Sequence, residues 1–221
     1  MGNEFLFLGH TLLVIGFLMG ALRLGKGALQ ALIAGQVVLA NLFVSKQMSL
    51  FGFSVTCSDV YAIGAILGLN LLQEYWGREE ANKTVGISFL CLIFFTAMSQ
   101  IHLLYAPIPE DGTHQAFSAI LSSTPRIAIA SIAVYYIVQK LDVSFFGWLK
   151  NAFRGGYFPL RVGISLVLTQ LLDTVLFSFL GLYGLVASIF DIIAVSFFVK
   201  CLIIGCSSPI TIFSRRFLKH V

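Results

Sequence analysis

The chain has 221 residues, of which 58% are hydrophobic and only 11% are charged, and its formal net charge is +4. A soluble domain carries about 25% charged residues, so this composition excludes an ordinary soluble protein. The length suits one helical bundle over residues 1–221 and leaves no room for a separate soluble domain.

Seven apolar runs follow one another along the chain, and each approaches the ~20 residues that a helix needs to cross a bilayer. The runs are apolar on all sides, whereas barrel strands would alternate in polarity, so helices are predicted. The sequence therefore predicts an all-α, polytopic bundle of about seven transmembrane helices, or six if the first run does not span. The predicted spans are residues 5–22, 27–44, 57–76, 84–105, 124–139, 162–183 and 185–206.

The connections between the runs are predicted to be loops, notably at residues 46–52, 106–124 and 140–161. Their basic residues indicate topology, because cytoplasmic loops carry an excess of lysine and arginine. With the C-terminus in the cytoplasm and seven spans, only Lys46 falls in an outside loop. We therefore expect an outside N-terminus and no nucleic-acid partner. The basic residues that then lie inside are Arg23, Lys26, Arg78, Lys83, Lys140, Lys150, Arg154, Arg161, Arg215, Arg216 and Lys219.

Two pairs of glycines are spaced for close helix packing, at Gly16 and Gly20 and at Gly64 and Gly68. Contacts within the bundle are the simpler interpretation of both pairs. A homodimer or a partner face is the alternative, and the first-span pair is the weak hint of such a face.

Ionisable side chains inside a bilayer cost roughly 2.5–3.5 kcal/mol each on insertion scales, so each is a candidate functional residue. Asp173 lies near the middle of the sixth predicted span, one turn after Gln170. Glu74 lies near the inner end of the third, one turn after Asn70. Either carboxylate could hold a substrate or a proton, or could serve only a structural pairing.

Lys200 lies in the seventh predicted span. It could snorkel to the headgroups, pair with Glu74 or Asp173, or donate to a substrate carbonyl. Arg126 begins the fifth predicted span, where it could equally well anchor to lipid phosphates or take part in the site. Asp59 and Asp191 lie near outer span ends and are expected to be wet. Two single amides complete the set of candidates, Asn41 and Gln139.

No catalytic or metal motif accompanies these residues. None of the four histidines lies in mid-span beside a serine or cysteine, and no HExxH, GxSxG or phosphate-binding glycine loop occurs. Asp173 is the one aspartate predicted in mid-membrane, so the sequence does not predict an intramembrane protease site, which would need two facing aspartates. The cysteines are read as small buried hydrophobes. We expect neither an enzyme nor a cofactor.

Four segments, taken in order, resemble the queuosine precursor transporter family, which is also called the vitamin uptake transporter family. Residues 41–46 (Asn-Leu-Phe-Val-Ser-Lys) are similar to its second-span exit, and residues 71–77 (Leu-Leu-Gln-Glu-Tyr-Trp-Gly) to its third-span signature. Residues 125–131 resemble its fifth-span start, and residues 170–174 match its sixth-span Gln-x-x-Asp-[Ser/Thr] pattern. The resemblance covers about residues 27–209. Asn70 departs from it, because the family usually has aspartate there.

The resemblance implies a membrane transporter that imports a 7-deazaguanine base for the modified tRNA nucleoside queuosine, in a bacterial cytoplasmic (inner) membrane. The base presents N1–H and an exocyclic amine side by side, which one carboxylate can accept together. Its lactam oxygen needs a donor, and its ring needs aromatic walls, for which Tyr75, Trp76, Phe177 and Tyr183 are candidates. The aminomethyl precursor also carries a cationic amine, which a second carboxylate would favour. The candidate substrate-binding residues are Asp173, Glu74, Gln170, Asn70, Lys200, Arg126, Asn41 and Gln139.

Two other functions stay open at this stage. The chain could be the substrate-binding subunit of an energy-coupling vitamin transporter, which needs ATPase and scaffold partners. It could also be a membrane assembly factor without a transported substrate, although deep carboxylates argue against that role.

Overall fold

The computed structural model describes residues 2–152 and 158–202, which are almost entirely helical. Helices α1 and α2 come first, and a two-stranded hairpin, β1 and β2, separates them from α3 to α8. A short π-helical segment, Ser178–Leu182, continues α7. The elements are α1 Asn3–Leu24, α2 Lys26–Phe43, β1 Gln47–Leu50, β2 Phe53–Thr56, α3 Asp59–Trp76, α4 Arg78–Leu103, α5 His114–Leu121, α6 Thr124–Ala152, α7 Phe158–Phe177 and α8, residues 189–202.

The chain is a helical membrane protein. Four helical stretches are long and apolar enough to cross a bilayer by length and composition, namely α1, α2, α4 and His114–Val138. A helix also lies within each of the other predicted runs, although the end of the seventh run, residues 203–206, lies outside the described residues. The count of seven spans and the orientation of the termini stay predictions.

Glycines at positive φ end two of the long helices and begin the next ones. Gly25, at φ 102°, separates α1 from α2, and Gly77, at φ 88°, separates α3 from α4. Residues with a Cβ rarely adopt such angles. Single residues can therefore reverse the chain, and consecutive helices pack side by side.

The prediction of a loop at residues 46–52 is wrong, because most of this segment belongs to an antiparallel hairpin. Gln47 pairs with Thr56 and Leu50 pairs with Phe53. The turn residues Phe51 and Gly52 both have positive φ, of 51° and 84°, as the tight turns favoured in two-residue hairpin loops require. Four-residue strands are too short to produce a readable alternation, which is why the sequence suggested only a loop.

Two further connections are more helical than predicted. The region 106–124 contains α5, which contacts α4 through the hydrogen bond from the Gln100 side chain to the Leu121 carbonyl at 2.9 Å. The helix predicted to end near Gln139 continues to Ala152, and α7 begins at Phe158, so much of the expected basic loop 140–161 is helix. No proline interrupts the sequence between these points, and charged residues alone do not end a helix once it leaves the hydrocarbon core.

The main hydrophobic core lies between α1, α2 and α3. Its fully buried side chains include Leu18, Leu29, Ile33 and Leu72. By contrast, α1 and α4 expose many large apolar side chains, such as Phe5 and Phe94, as lipid-facing helices do.

The two predicted glycine pairs differ in how closely other helices approach them. A Cβ placed on Gly68 would lie 2.7 Å from Cγ1 of Ile33 and 3.1 Å from Cδ2 of Leu18, and one on Gly64 would overlap the Gln36 side chain. Contact within the bundle is thus confirmed for this pair. A Cβ on Gly16 or Gly20 would meet nothing within 4 Å. A dimer or partner face on α1 stays a prediction.

This difference predicts opposite effects for the same substitution. Gly68→Ala should lower the free energy of unfolding by about 1–3 kcal/mol, because Ile33 must shift in a packed core. Gly16→Ala should be neutral or stabilising by up to about 1 kcal/mol, because alanine favours the helix and meets open space. Thermal unfolding of both variants in detergent micelles measures this. Equal effects of the two substitutions would contradict the packing described.

Candidate functional site

A cavity of about 240 Å³ lies between α2, α3, α4, α6, α7 and α8, with the end of the hairpin on its wall. Its lining combines apolar side chains with an unusual concentration of polar ones for the interior of a helical membrane protein. The polar and aromatic residues of the lining are Asn41, Thr56, Ser58, Asp59, Phe89, Ser131, Tyr135, Asp173, Thr174, Phe177, Ser178, Ser196 and Lys200.

Lys200 and Asp173 form an ion pair across this cavity. The Lys200 ammonium, on α8, donates to Oδ2 of Asp173, on α7, at 2.6 Å and to Oγ1 of Thr174 at 3.0 Å. The two charged side chains are 14% and 33% exposed, respectively. Of the partners considered for Lys200, Asp173 is therefore confirmed. The pair fixes α7 against α8.

Asp59 is a second carboxylate on the cavity, and the expectation that it is wet is wrong. It is 7% exposed, and the Ser196 hydroxyl lies 2.8 and 3.1 Å from its two oxygens. Asp59 begins α3 directly after the hairpin, whose closing bond runs from the Cys57 N–H to the Lys46 carbonyl at 2.8 Å. The hairpin covers this end of α3, so a residue at the end of a predicted span is buried.

The only sequence signal for Asp59 is local. It follows Thr56 and Ser58, whose hydroxyls lie 2.7 Å apart and also line the cavity. Three polar side chains within four residues at a helix start would normally indicate a solvated cap. The hairpin that reverses this interpretation could not be recognised from its short strands.

Asn41 joins α2 to α6 on the cavity wall. Its side-chain amide donates to the Val37 carbonyl at 2.9 Å, and its Oδ1 accepts the Ser131 hydroxyl at 2.9 Å. The amide is thereby held in one orientation, which suits a residue that would recognise a ligand by hydrogen bonding.

The aromatic part of the lining differs from the predicted walls. Phe177 lies on the cavity as expected, together with Phe89 and Tyr135, whose rings meet edge to face with centroids 5.0 Å apart. Tyr75 and Trp76 pack instead against the core between α1, α2 and α3, and Tyr183 is exposed.

The other candidate residues lie away from the cavity. Asn70 and Glu74 are on the exposed face of α3, opposite the buried Leu71 and Leu72. Arg126 is exposed, and its Nε donates to the Leu180 carbonyl in the π-helical segment at 3.1 Å.

Two further candidates contribute no described side chain to the cavity. Gln170 does not line it, although its backbone carbonyl accepts the Thr174 hydroxyl at 2.8 Å. Gln139 lies within α6, in a stretch where its side chain is not described.

Side-chain to backbone hydrogen bonds hold the hairpin over the cavity end. The Ser54 N–H donates to Asp191 at 3.2 Å, and the Ala187 N–H donates to the Gln47 side chain at 2.9 Å, so the hairpin is tied to the start of α8. From the other side, the Phe51 N–H donates to Glu4 of α1 at 3.0 Å. The hairpin therefore bridges two helices that are far apart in sequence.

The fold and site define a helical membrane protein with a small cavity between its helices, on whose wall several polar side chains lie. Among the described residues, no group of three or more His, Cys, Asp or Glu side chains could hold a metal ion. The family model described as "Putative vitamin uptake transporter" matches residues 56–214. A protein of Bacillus subtilis (strain 168) named "Probable queuosine precursor transporter" is 33% identical over 178 residues, covering 79% of this chain and 76% of the relative. The chain belongs to this vitamin uptake transporter family, and no solved structure matches it significantly.

The ion pair predicts non-additive effects on stability. Asp173→Asn and Lys200→Met should each lower the free energy of unfolding by about 1–3 kcal/mol, between the values typical of exposed and of fully buried pairs, because each leaves one charge uncompensated. The double variant should recover most of that loss. Thermal unfolding of the unaltered chain, the two single variants and the double variant measures this coupling as a double-mutant cycle.

A matched control is Glu79→Gln, which removes an exposed carboxylate 3.6 Å from Lys83. It should change stability by less than about 1 kcal/mol, as exposed pairs do. Simple addition of the two single effects in the Asp173 and Lys200 double variant would show that the ion pair does not couple α7 to α8.

Proposed function

We propose that the chain is a multi-pass transporter of a bacterial cytoplasmic (inner) membrane that imports a queuosine precursor, a 7-deazaguanine base, for tRNA queuosine salvage. The name of the Bacillus subtilis relative and the family membership support transport of this substrate class. The observation that carries the assignment to a site is the Lys200–Asp173 pair on the wall of the cavity between the helices.

The pair offers the hydrogen-bonding groups that a guanine-type edge requires. An ammonium has three N–H donors, and two of those of Lys200 go to Asp173 and Thr174. The third can bind the lactam oxygen of the base. Asp173 uses Oδ2 for Lys200, which leaves Oδ1 to accept the neighbouring N1–H and exocyclic amine. One donor beside one carboxylate thus complements the acceptor–donor–donor order of the edge.

The size and walls of the cavity fit a single flat base. Its volume of about 240 Å³ is below the range of about 300–1,000 Å³ of pockets for drug-sized ligands, so a bicyclic base suits it better than a nucleoside. Phe177, Phe89 and Tyr135 provide aromatic surface for stacking, which contributes about 1–3 kcal/mol per base where bases stack on proteins. Asn41 adds a fixed amide to the same wall.

The remaining predicted contacts do not line the cavity and would act at a different step of the transport cycle. Glu74 and Asn70 face outward on α3, so they would meet the base only after helices have moved in alternating access. Arg126 would act near the π-helical segment that it contacts. Gln170 and Gln139 stay hypotheses of the same kind.

Seven spans with the N-terminus outside suit this function. In that topology the hairpin lies on the outer side, together with the start of α1 and the start of α8, to which it is hydrogen-bonded. The Lys26–Glu80 ion pair, at 3.2 Å, joins the opposite ends of the first four helices. A base entering from outside would meet the hairpin before the ion pair of Lys200.

Restored tRNA queuosine tests the function directly. A bacterium that can neither make nor import precursors should regain queuosine when it expresses this chain, receives one 7-deazaguanine base and has the matching downstream enzyme. Asp173→Ala should reduce uptake of that base about 10- to 100-fold, the loss expected for hydrogen bonds to a charged group. Asp111→Ala, in an exposed loop, is the matched control and should transport normally.

Restoration by no base, despite membrane expression, would overturn transport of deazaguanines. Uptake into vesicles that contain only the purified chain separates this function from that of an energy-coupling subunit. Activity there shows that no ATPase or scaffold partner is obligatory, and activity only with such partners would favour the subunit instead.

A further inference from the structure

The acidic and basic side chains that line the cavity in the described part of the chain do not balance in charge. Asp59 and Asp173 are carboxylates, and Lys200 is the one cation on the lining. Lys200 binds Asp173 at 2.6 Å, whereas the partner of Asp59 is the neutral hydroxyl of Ser196. Within the described part of the chain, no lysine, arginine or histidine forms a salt bridge with Asp59. The excess negative charge therefore lies at Asp59, which Lys200 attracts from a distance without forming a salt bridge to it.

A buried carboxylate in this state has unused capacity. An ionised carboxylate has about four lone-pair sites, and the single proton of the Ser196 hydroxyl can occupy only one. Burial of a charge without a counter-charge is strongly unfavourable. A ligand that brings a positive charge with several N–H donors would satisfy both the charge and the hydrogen-bonding capacity, which a neutral ligand would not.

The positions along the cavity indicate where that charge would lie on the substrate. Ser196 and Lys200 are four residues apart on α8, so their side chains lie on one face, about 5–6 Å apart at Cβ. The order along the site is thus Asp173, Lys200, then Ser196 with Asp59. On a 7-deazaguanine the order is exocyclic amine and N1–H, lactam oxygen, then the substituent at C7. With the lactam oxygen on Lys200, the C7 substituent points toward Asp59.

We propose that Asp59 is a cation subsite that binds a primary ammonium group on the C7 substituent, so that this chain prefers the aminomethyl 7-deazaguanine to the neutral nitrile. This inference rests on the proposed function and deepens it. The ammonium of the aminomethyl base donates to Asp59, and Ser196 holds the carboxylate in place. The nitrile group of the other base can only accept hydrogen bonds, so it leaves the Asp59 carboxylate without a counter-charge.

Uptake of the two bases by the whole chain in membrane vesicles tests the subsite. The unaltered chain should take up the aminomethyl base at least tenfold better than the nitrile at limiting concentration. Asp59→Asn keeps an oxygen acceptor for Ser196 but removes the charge, and it should reduce this preference at least tenfold. Asp59→Glu should restore part of the preference, because it restores the charge. Asp111→Asn, the same change in an exposed loop, should leave the preference unaltered.

The outcomes separate the subsite from the function on which it rests. Equal uptake of both bases by the unaltered chain, or an unchanged preference in Asp59→Asn, overturns the subsite and leaves transport of deazaguanines standing. An equal loss of uptake of both bases in Asp59→Asn also overturns the subsite, since Asp59 would then serve transport in general. Uptake of neither base by the unaltered chain overturns the proposed function and the subsite together.

Discussion

The ion pair between Lys200 and Asp173 is the interaction on which the arrangement of the site depends. Neither charge is tolerable alone at this depth, because an unpaired ion in a low-dielectric interior costs several kcal/mol. Pairing holds α7 against α8 and thereby defines one wall of the cavity. Thr174 receives a second N–H of Lys200, so the ammonium is directed and not merely neutralised. The third N–H is what remains for a ligand.

The hairpin imposes the second constraint, because it buries the start of α3. Without it, Asp59 would be a solvated residue at a helix end. The hairpin is held between α1 and α8 by hydrogen bonds to Glu4 and Asp191 and by its buried side chains Leu50 and Val55. The burial of Asp59 therefore depends on the packing and hydrogen bonding of a hairpin that is distant from α8 in sequence.

Sequence reasoning located the helices well, because apolar runs of this length have one structural solution in a membrane. It also found Asp173, Lys200 and Asn41, since buried polar residues are conspicuous in apolar runs. Asp59 was missed because its burial depends on a hairpin with two four-residue strands. The placement of Glu74 on an exposed face of α3 could not be foreseen either. Depth in a span can be estimated from sequence, but the direction of a side chain within a bundle depends on tertiary packing.

Two carboxylates with unequal partners make this site different from a simple ion pair. Asp173 has a fixed cation, and its negative charge is compensated whether or not a ligand is present. Asp59 has only a hydroxyl in direct contact and feels Lys200 from a distance, so a proton or a cationic ligand would complete its compensation. A transporter must bind its substrate firmly enough to select it and weakly enough to release it. Under the proposed function, the Asp173–Lys200 pair would orient the ring edge of the substrate, and Asp59 would select the charged substituent.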